Sequence, residues 1–473
     1  MKKFLTLMLT AVMAVACCFG LTACGHKHDY VGTVISKGTC TEQGETKFVC
    51  AEDGDTYTTK NEALGHSYKN GKCVRCNADA VNPAPIAKEN IKIGLICLHG
   101  EGSTYDKNFI DAFESACRAK GLTEAQYIMK TDIEENASCK EAAENLVDQG
   151  CNIIFADSFG HAPYIKEVAK SNPNVQFYHA TGNDAHTSST PNYHNAFAYI
   201  YEGRYLAGVA AGVKLKAMND AGQITAKNKD ENGNIKLGYV GAFTYAEVIS
   251  GFTSWYLGVK SVMDNVVMDV QFTGSWYNEG FEKNAANTLI EKGCALISQH
   301  ADSWGAPGAC EAAGIPNVSY NGSTASRCPN TFIVSSRINW QPYYEYIIDC
   351  AINGKLADTD WSEGLGETLA NGSVVLTELG NAAAEGTQAI INEKVEGLKN
   401  GTIKVFDCSK FTVKGQHLTS YLADVDNWDD FIPETEVIKT EKGITYFAES
   451  EFRSAPYFDI QIDGITYLNV AFG

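Results

Sequence analysis

From Ile91 to about Phe406 the chain alternates short β-rich runs with amphipathic stretches of helical length, a rhythm that few folds tolerate. Expected strands cover residues 91–98, 153–156, 175–180, 236–240, 266–272 and 295–299. Expected helices cover 106–120, 138–149, 200–216, 247–263, 279–292 and 340–352. Runs such as Ile153-Ile154-Phe155-Ala156 are apolar at every position, which suits a strand buried on both faces. Parallel strands need crossover helices, so the pattern predicts an α/β fold with helices on both sides of each sheet. The stretch is too long for one doubly wound sheet, and two lobes are expected.

Ligands of such sheets bind beyond the carboxyl ends of the strands. Those ends are followed by His99 to Phe109, by Asp157-Ser158-Phe159-Gly160-His161, and by Gly241 to Glu247. Two more are followed by Thr273-Gly274-Ser275-Trp276 and by His300-Ala301-Asp302-Ser303-Trp304. Each loop carries an aromatic ring and at least one polar group. Rings can sandwich a flat ligand and polar groups can orient it, so a binding cleft is expected at Asp106, Asp157, Phe159, Phe243, Tyr245, Trp276 and Asp302.

The N-terminus reads as an export signal. Lys2 and Lys3 precede an apolar run from Phe4 to Gly20, and Leu21-Thr22-Ala23-Cys24 follows. That ending resembles a bacterial lipobox, which implies cleavage after residue 23 and a lipid anchor on Cys24 at the outer face of the cell membrane. Acyl chains contribute roughly 0.8 kcal/mol per buried CH₂, so two or three of them hold a protein stably. The formal net charge is −19 and no basic stripe exists, which argues against nucleic acid as a partner.

The expected organisation is a signal peptide (1–23), a Cys/His-rich segment (24–79), a linker around Pro83 and Pro85 (80–88), the two-lobed domain (89–410) and a β-rich extension of it (411–473). In the first segment Cys73-Val74-Arg75-Cys76 is a C-x-x-C knuckle, the turn that aims two thiolates at one metal. Cys50-Ala51-Glu52-Asp53 stands where a second knuckle belongs, with Asp53 in place of cysteine, and His66 is an alternative fourth ligand. The arrangement resembles short zinc-ribbon-like repeats, so structural zinc on Cys50, Asp53, His66, Cys73 and Cys76 is one expectation. A disulfide pair or an unstructured spacer are the others. The chain has 16 cysteines in all. Nine are scattered, several of them among apolar residues as at Cys97 and Cys294, and they read as small buried hydrophobes.

Four stretches carry a family resemblance. They are Gly150 to Gly160, Asn174 to Gly182, Tyr201-Glu202-Gly203-Arg204-Tyr205-Leu206-Ala207-Gly208 running on to Gly212, and Gly238 to Phe243. Together with Asp106-Lys107-Asn108-Phe109 they resemble the basic membrane protein (Bmp) family of substrate-binding lipoproteins. The resemblance covers roughly residues 89–410. It implies a type I periplasmic-binding-protein fold with three hinge crossings, and a receptor that delivers a purine nucleoside to the permease and ATPase of an ABC importer. It implies no cofactor for the binding domain. Phe109 matches the first aromatic that sandwiches the base, with Phe243 or Tyr245 as the second; Asn321 and Arg337 fall where the ribose is held. Asn321 replaces an expected Asp, a role open to Asp302, and Ile110 replaces an Asn that reads the base edge.

An enzyme is the main rival class. The sequence has no Gly-x-Ser-x-Gly elbow, His-Glu-x-x-His pair or phosphate loop, and the one suggestive pair, His300 with Asp302, reads better as a polar contact to ligand or hinge. A membrane-anchored sensor or a sugar receptor without transport is a further alternative.

Overall fold

Leu95, Ile96, Ile153, Ile154 and Phe155 are all buried, because helices cover both faces of the sheet they form. The computed structural model describes residues 28–362, 372–425 and 434–472, so Cys24 lies outside the described residues. The first sheet runs in the order Asp360–Trp361, Tyr193–Ala196, Gln176–Ala180, Ile153–Ala156, Ile93–Ile96, Tyr127–Lys130. All its strands are parallel. The second runs Val374–Leu376, Phe332–Ile338, Asn317–Tyr320, Leu296–His300, Ile235–Gly241, Val266–Phe272, Ile465–Tyr467. Only its first strand is antiparallel.

The chain passes between these two α/β lobes in three places. It leaves the first lobe after Tyr193–Ala196 and enters the second with helix Ile200–Asp220. It returns after Phe332–Ile338, and Trp340, Tyr343 and Tyr344 pack into the first lobe's core at the start of helix Gln341–Asn353. The third passage follows Asp360–Trp361 and includes residues 363–371, which are not described.

The glycine-rich run recognised at 203–212 is a close helix contact. A Cβ on Gly208 would stand 2.0 Å from the Trp255 carbonyl oxygen, and one on Gly258 would stand 2.1 Å from that of Tyr205. Helices Ile200–Asp220 and Ala246–Lys260 therefore meet backbone to backbone, beneath the second sheet.

The extension belongs to the second lobe. Ile465–Tyr467 adds a parallel edge strand beside Val266–Phe272, and Phe411, Phe447, Tyr457, Phe458 and Ile462 join that lobe's core. Its other strands are two to four residues long. Yet Ser454 crosses to the first lobe: its N–H donates to Asp360 at 2.7 Å, and the Asn195 side chain donates to its hydroxyl at 2.8 Å.

The segment before the linker is folded rather than a bare spacer. Tyr30–Ser36, Gly44–Cys50 and Thr56–Asn61 form an antiparallel sheet, and Tyr68–Lys69 pairs with Lys72–Cys73. That hairpin docks on the first lobe: Tyr68 and Thr359 exchange hydrogen bonds of 2.9 Å, and the Asn70 N–H donates to Asp358 at 2.7 Å. Among the described residues no helix is long and apolar enough to cross a membrane.

Candidate functional site

Helix Thr104–Ala119 follows strand Ile93–Ile96 after the loop 97–103 and is capped by the Ser103 hydroxyl, which accepts from the Asp106 N–H. Its first turn points into the gap between the lobes. The Thr104 N–H donates across that gap to the Asp302 carbonyl at 3.0 Å. Beside this bridge lies a small, partly open cavity of about 20 Å³, so the lobes must part for a solute to enter. The first lobe lines it with Leu98, His99, Tyr105, Asp106, Phe159 and Thr181; the second supplies Glu247, Trp276, His300 and Asp302.

Rings face each other across this space. Tyr245, Phe243 and Trp276 form one cluster on the second lobe, with Phe243 and Tyr245 stacked at 5.2 Å and Trp276 edge-on to Phe243 at 4.9 Å. Phe159 of the first lobe approaches Tyr245 at 6.1 Å, and His99 meets Tyr277 of the second lobe at 5.0 Å. Tyr105 is held by its hydroxyl, which donates to the Asp157 carbonyl oxygen at 2.6 Å.

Three carboxyl groups, Asp106, Glu247 and Asp302, stand among hydroxyls and rings that carry donors. Asp106 accepts from the His99 N–H at 2.8 Å, which fixes its carboxylate at the cavity wall. Burial, with Asp106 nearby, pushes the Asp302 carboxyl well above the usual carboxylate range. Burial holds His300 below its ordinary value despite Glu247 at 3.5 Å. Under the floor, Arg204 is fully buried, lies 3.9 Å from the Tyr320 ring centre and donates to the Gln299 carbonyl at 3.1 Å. Its charge offsets part of the acidic surround, while among the described residues no Lys or Arg lines the cavity itself.

Two backbone positions mark the strand ends. Thr181 and Asn321 take left-handed conformations (φ 67° and 64°) immediately after Gln176–Ala180 and Asn317–Tyr320. For β-branched Thr181 this conformation is costly, and such outliers gather at functional sites.

Of the residues expected at the cleft, Asp106, Phe159, Trp276 and Asp302 line the cavity, with Phe243 and Tyr245 packed against Trp276. Phe109 does not reach it. It is completely buried and stacked on Trp340 at 4.5 Å, one helical turn deeper than Tyr105, which takes the wall position. Ile110 is likewise core. Asp157 stands behind the wall, its carboxylate accepting from the Leu98 N–H at 3.2 Å. Asn321 and Arg337 line a neighbouring groove between the lobes. There the Asn321 amide donates to Asp302 at 3.3 Å and Arg337 donates to Asn108 at 3.1 Å, so both brace the cleft. Tyr105, Glu247 and Thr181 were not anticipated, although all three lie in or beside the strand-end loops.

The N-terminal cysteines sort into two groups. Cys40, His66, Cys73 and Cys76 bring their ligand atoms within 4.8 Å of one another, whereas Cys50 and Asp53 gather with His28. The expected five-residue set is thus divided, and Cys40 replaces Cys50 beside the knuckle. The nine scattered cysteines are all buried and free.

Two doubly wound lobes, joined by repeated crossings and enclosing an aromatic and acidic cavity at the strand ends, define a periplasmic-type solute-binding protein. Residues 94–406 match the Bmp family, described as PnrA-like ABC transporter substrate-binding proteins, and the chain belongs to that family. Binding proteins of this kind work outside the cytoplasm and are not enzymes. A purine-binding protein of Brucella abortus is 28% identical over 361 residues, covering 72% of this chain and 94% of its own. An ABC-transporter protein of Haloferax volcanii named for glucose binding is 26% identical over 281 residues, covering 58% of this chain and 65% of its own. Among solved structures, a solute-binding protein of Aeropyrum pernix K1 shares the fold with a TM-score of 0.54 at 14% identity, covering 69% of this chain and 94% of that one.

Proposed function

We propose that the chain captures a purine nucleoside in the interlobe cavity and hands it to an ABC permease, held at the membrane by lipid on Cys24. The observation that carries the ligand class is the pairing of aromatic groups from opposite lobes, Tyr105 and Phe159 against Trp276 with Tyr245 packed behind it, with carboxyl groups at the same cavity. Rings suit the flat base, and Asp106, Glu247 and Asp302 can accept from ribose hydroxyls and ring N–H groups. The protein relative named for purine binding fits this reading. Among the described residues no Lys or Arg lines the cavity, which favours an uncharged nucleoside over its monophosphate.

Isothermal titration of the chain from residue 25 onward against nucleosides, nucleoside monophosphates, free bases and hexoses tests the reading. A purine nucleoside should bind at least a hundredfold tighter than its monophosphate and than any sugar. A preference for hexoses over every nucleoside rejects it and favours the second reading, a sugar receptor, which the glucose-named relative supports. The anchor is tested separately: a fatty-acid analogue should label the wild type in cells and leave Cys24→Ala unlabelled.

A further inference from the structure

The cysteine group beside the docked hairpin has the dimensions of a metal site. Zinc bonds of about 2.3 Å to sulfur and about 2.0–2.1 Å to imidazole nitrogen put neighbouring sulfurs ~3.8 Å apart and a sulfur–nitrogen edge at ~3.6 Å in a tetrahedron. Here Cys40 Sγ and Cys73 Sγ are 3.7 Å apart, and Cys76 Sγ is 3.4 Å from His66 Nδ1. All four atoms lie within 4.8 Å of one another, and none of the three thiols is in a disulfide. Two ligands come from the C-x-x-C turn, which can present both sulfurs to one ion. Cys40 and Cys73 are buried while Cys76 is exposed, so an ion has a path in from solvent.

We propose that Cys40, His66, Cys73 and Cys76 hold one zinc ion, and that this ion fastens the N-terminal module to the first lobe. The four ligands come from three parts of the junction, the knuckle supplying two. Cys73 ends the hairpin that pairs with Thr359. His66 follows Gly65, whose Cβ position is only 2.2 Å from the Ser188 carbonyl oxygen of the first lobe. Arg75, between the knuckle cysteines, donates to the Gly65 carbonyl at 2.8 Å and to the His186 carbonyl at 2.7 Å. Cys40 precedes the three-stranded sheet's second strand and ties that sheet to the rest. The local apolar cluster is small, Cys40, Tyr68 and Cys73 with Ala78, Ala80 and Leu356 against them, so metal supplies what the core does not.

The test uses the full mature chain, reduced, stripped of metal and titrated with Co²⁺ and then Zn²⁺. The first equivalent of Co²⁺ should give visible absorption of a tetrahedral thiolate site, bleached by Zn²⁺. Cys76→Ser and His66→Ala should weaken this first equivalent at least tenfold, with Cys50→Ser leaving it intact. Hydrogen exchange should show residues 66–76 protected with metal and at least tenfold less protected without it. Absence of a tetrahedral spectrum overturns the site, as does loss of the first equivalent in Cys50→Ser but not in Cys76→Ser. A Cys40–Cys73 disulfide in protein isolated without reductant overturns it too. Unchanged exchange at 66–76 on metal removal overturns the fastening role.

Discussion

Tyr105 and Phe109 are one turn apart on the same helix, and their rings are 4.9 Å from each other, yet only Tyr105 meets the cavity. The helix points its N-terminus at the gap, so a side chain four residues in is already inside the lobe. Phe109→Ala should therefore act on stability, costing about 3–5 kcal/mol in urea unfolding, as for a large buried ring. Tyr105→Ala should act on binding, weakening nucleoside affinity at least tenfold in titration calorimetry, while Tyr105→Phe keeps the wall and stays within a few fold. Ring chemistry at the strand ends was legible in sequence at Phe159 and Trp276. The facing of Phe109 was not, because the Asp-Lys-Asn-Phe motif marks the loop without showing which member turns inward. Cys50 misled for a related reason: a knuckle is a local pattern, whereas its partner Cys40 lies 33 residues before Cys73 and is brought there by folding.

Elements whose burial is apolar announced themselves, and those whose burial is polar did not. Ile153–Ala156 and Val266–Phe272 were readable from their residues alone. Strand Tyr193–Ala196, with the sequence Tyr-His-Asn-Ala, is equally buried but carries its own hydrogen-bond partners, such as Gln176 for His194 at 3.0 Å. Glycines inside helices likewise depend on what lies opposite. Gly208→Ala pushes a methyl against a carbonyl oxygen at 2.0 Å and should lower the unfolding free energy by several kcal/mol, since backbone must move. Gly308, in helix Gly305–Ala313, has open space at its Cβ position, so Gly308→Ala should instead raise stability by up to about 1 kcal/mol. Thermal and urea unfolding of the two variants should move in opposite directions.

At the scale of the whole molecule the β-rich extension was legible, but the lobe it joins was not, since its strands are short and its packing is with distant residues. Glu449 sits in it, fully buried, accepting from Ser250 of the second lobe at 2.6 Å and from Ser450, with Arg453 and Glu202 as the charges nearby. Burial pushes its carboxyl up to about 7. Below its ordinary value of 4.5 the group is neutral folded or unfolded; between 4.5 and 7 the unfolded chain loses the proton first, so the folded state loses relative stability as pH rises. Glu449→Gln should remove that slope. Urea unfolding at pH 5 and pH 8 should show wild type losing on the order of 2–3 kcal/mol more than the variant across this interval.

The extension that rides on the second lobe also grips the first at one point, where Ser454 bonds Asp360 and Asn195. Mechanically this is a pin set close to the third passage of the chain, which leaves Asp360–Trp361 directly beyond it. A clamshell with a pin has fewer ways to open. Sliding the lobes apart would break the pin's hydrogen bonds, whereas a rotation whose axis runs through Ser454 would keep them, so swinging costs less here than gaping.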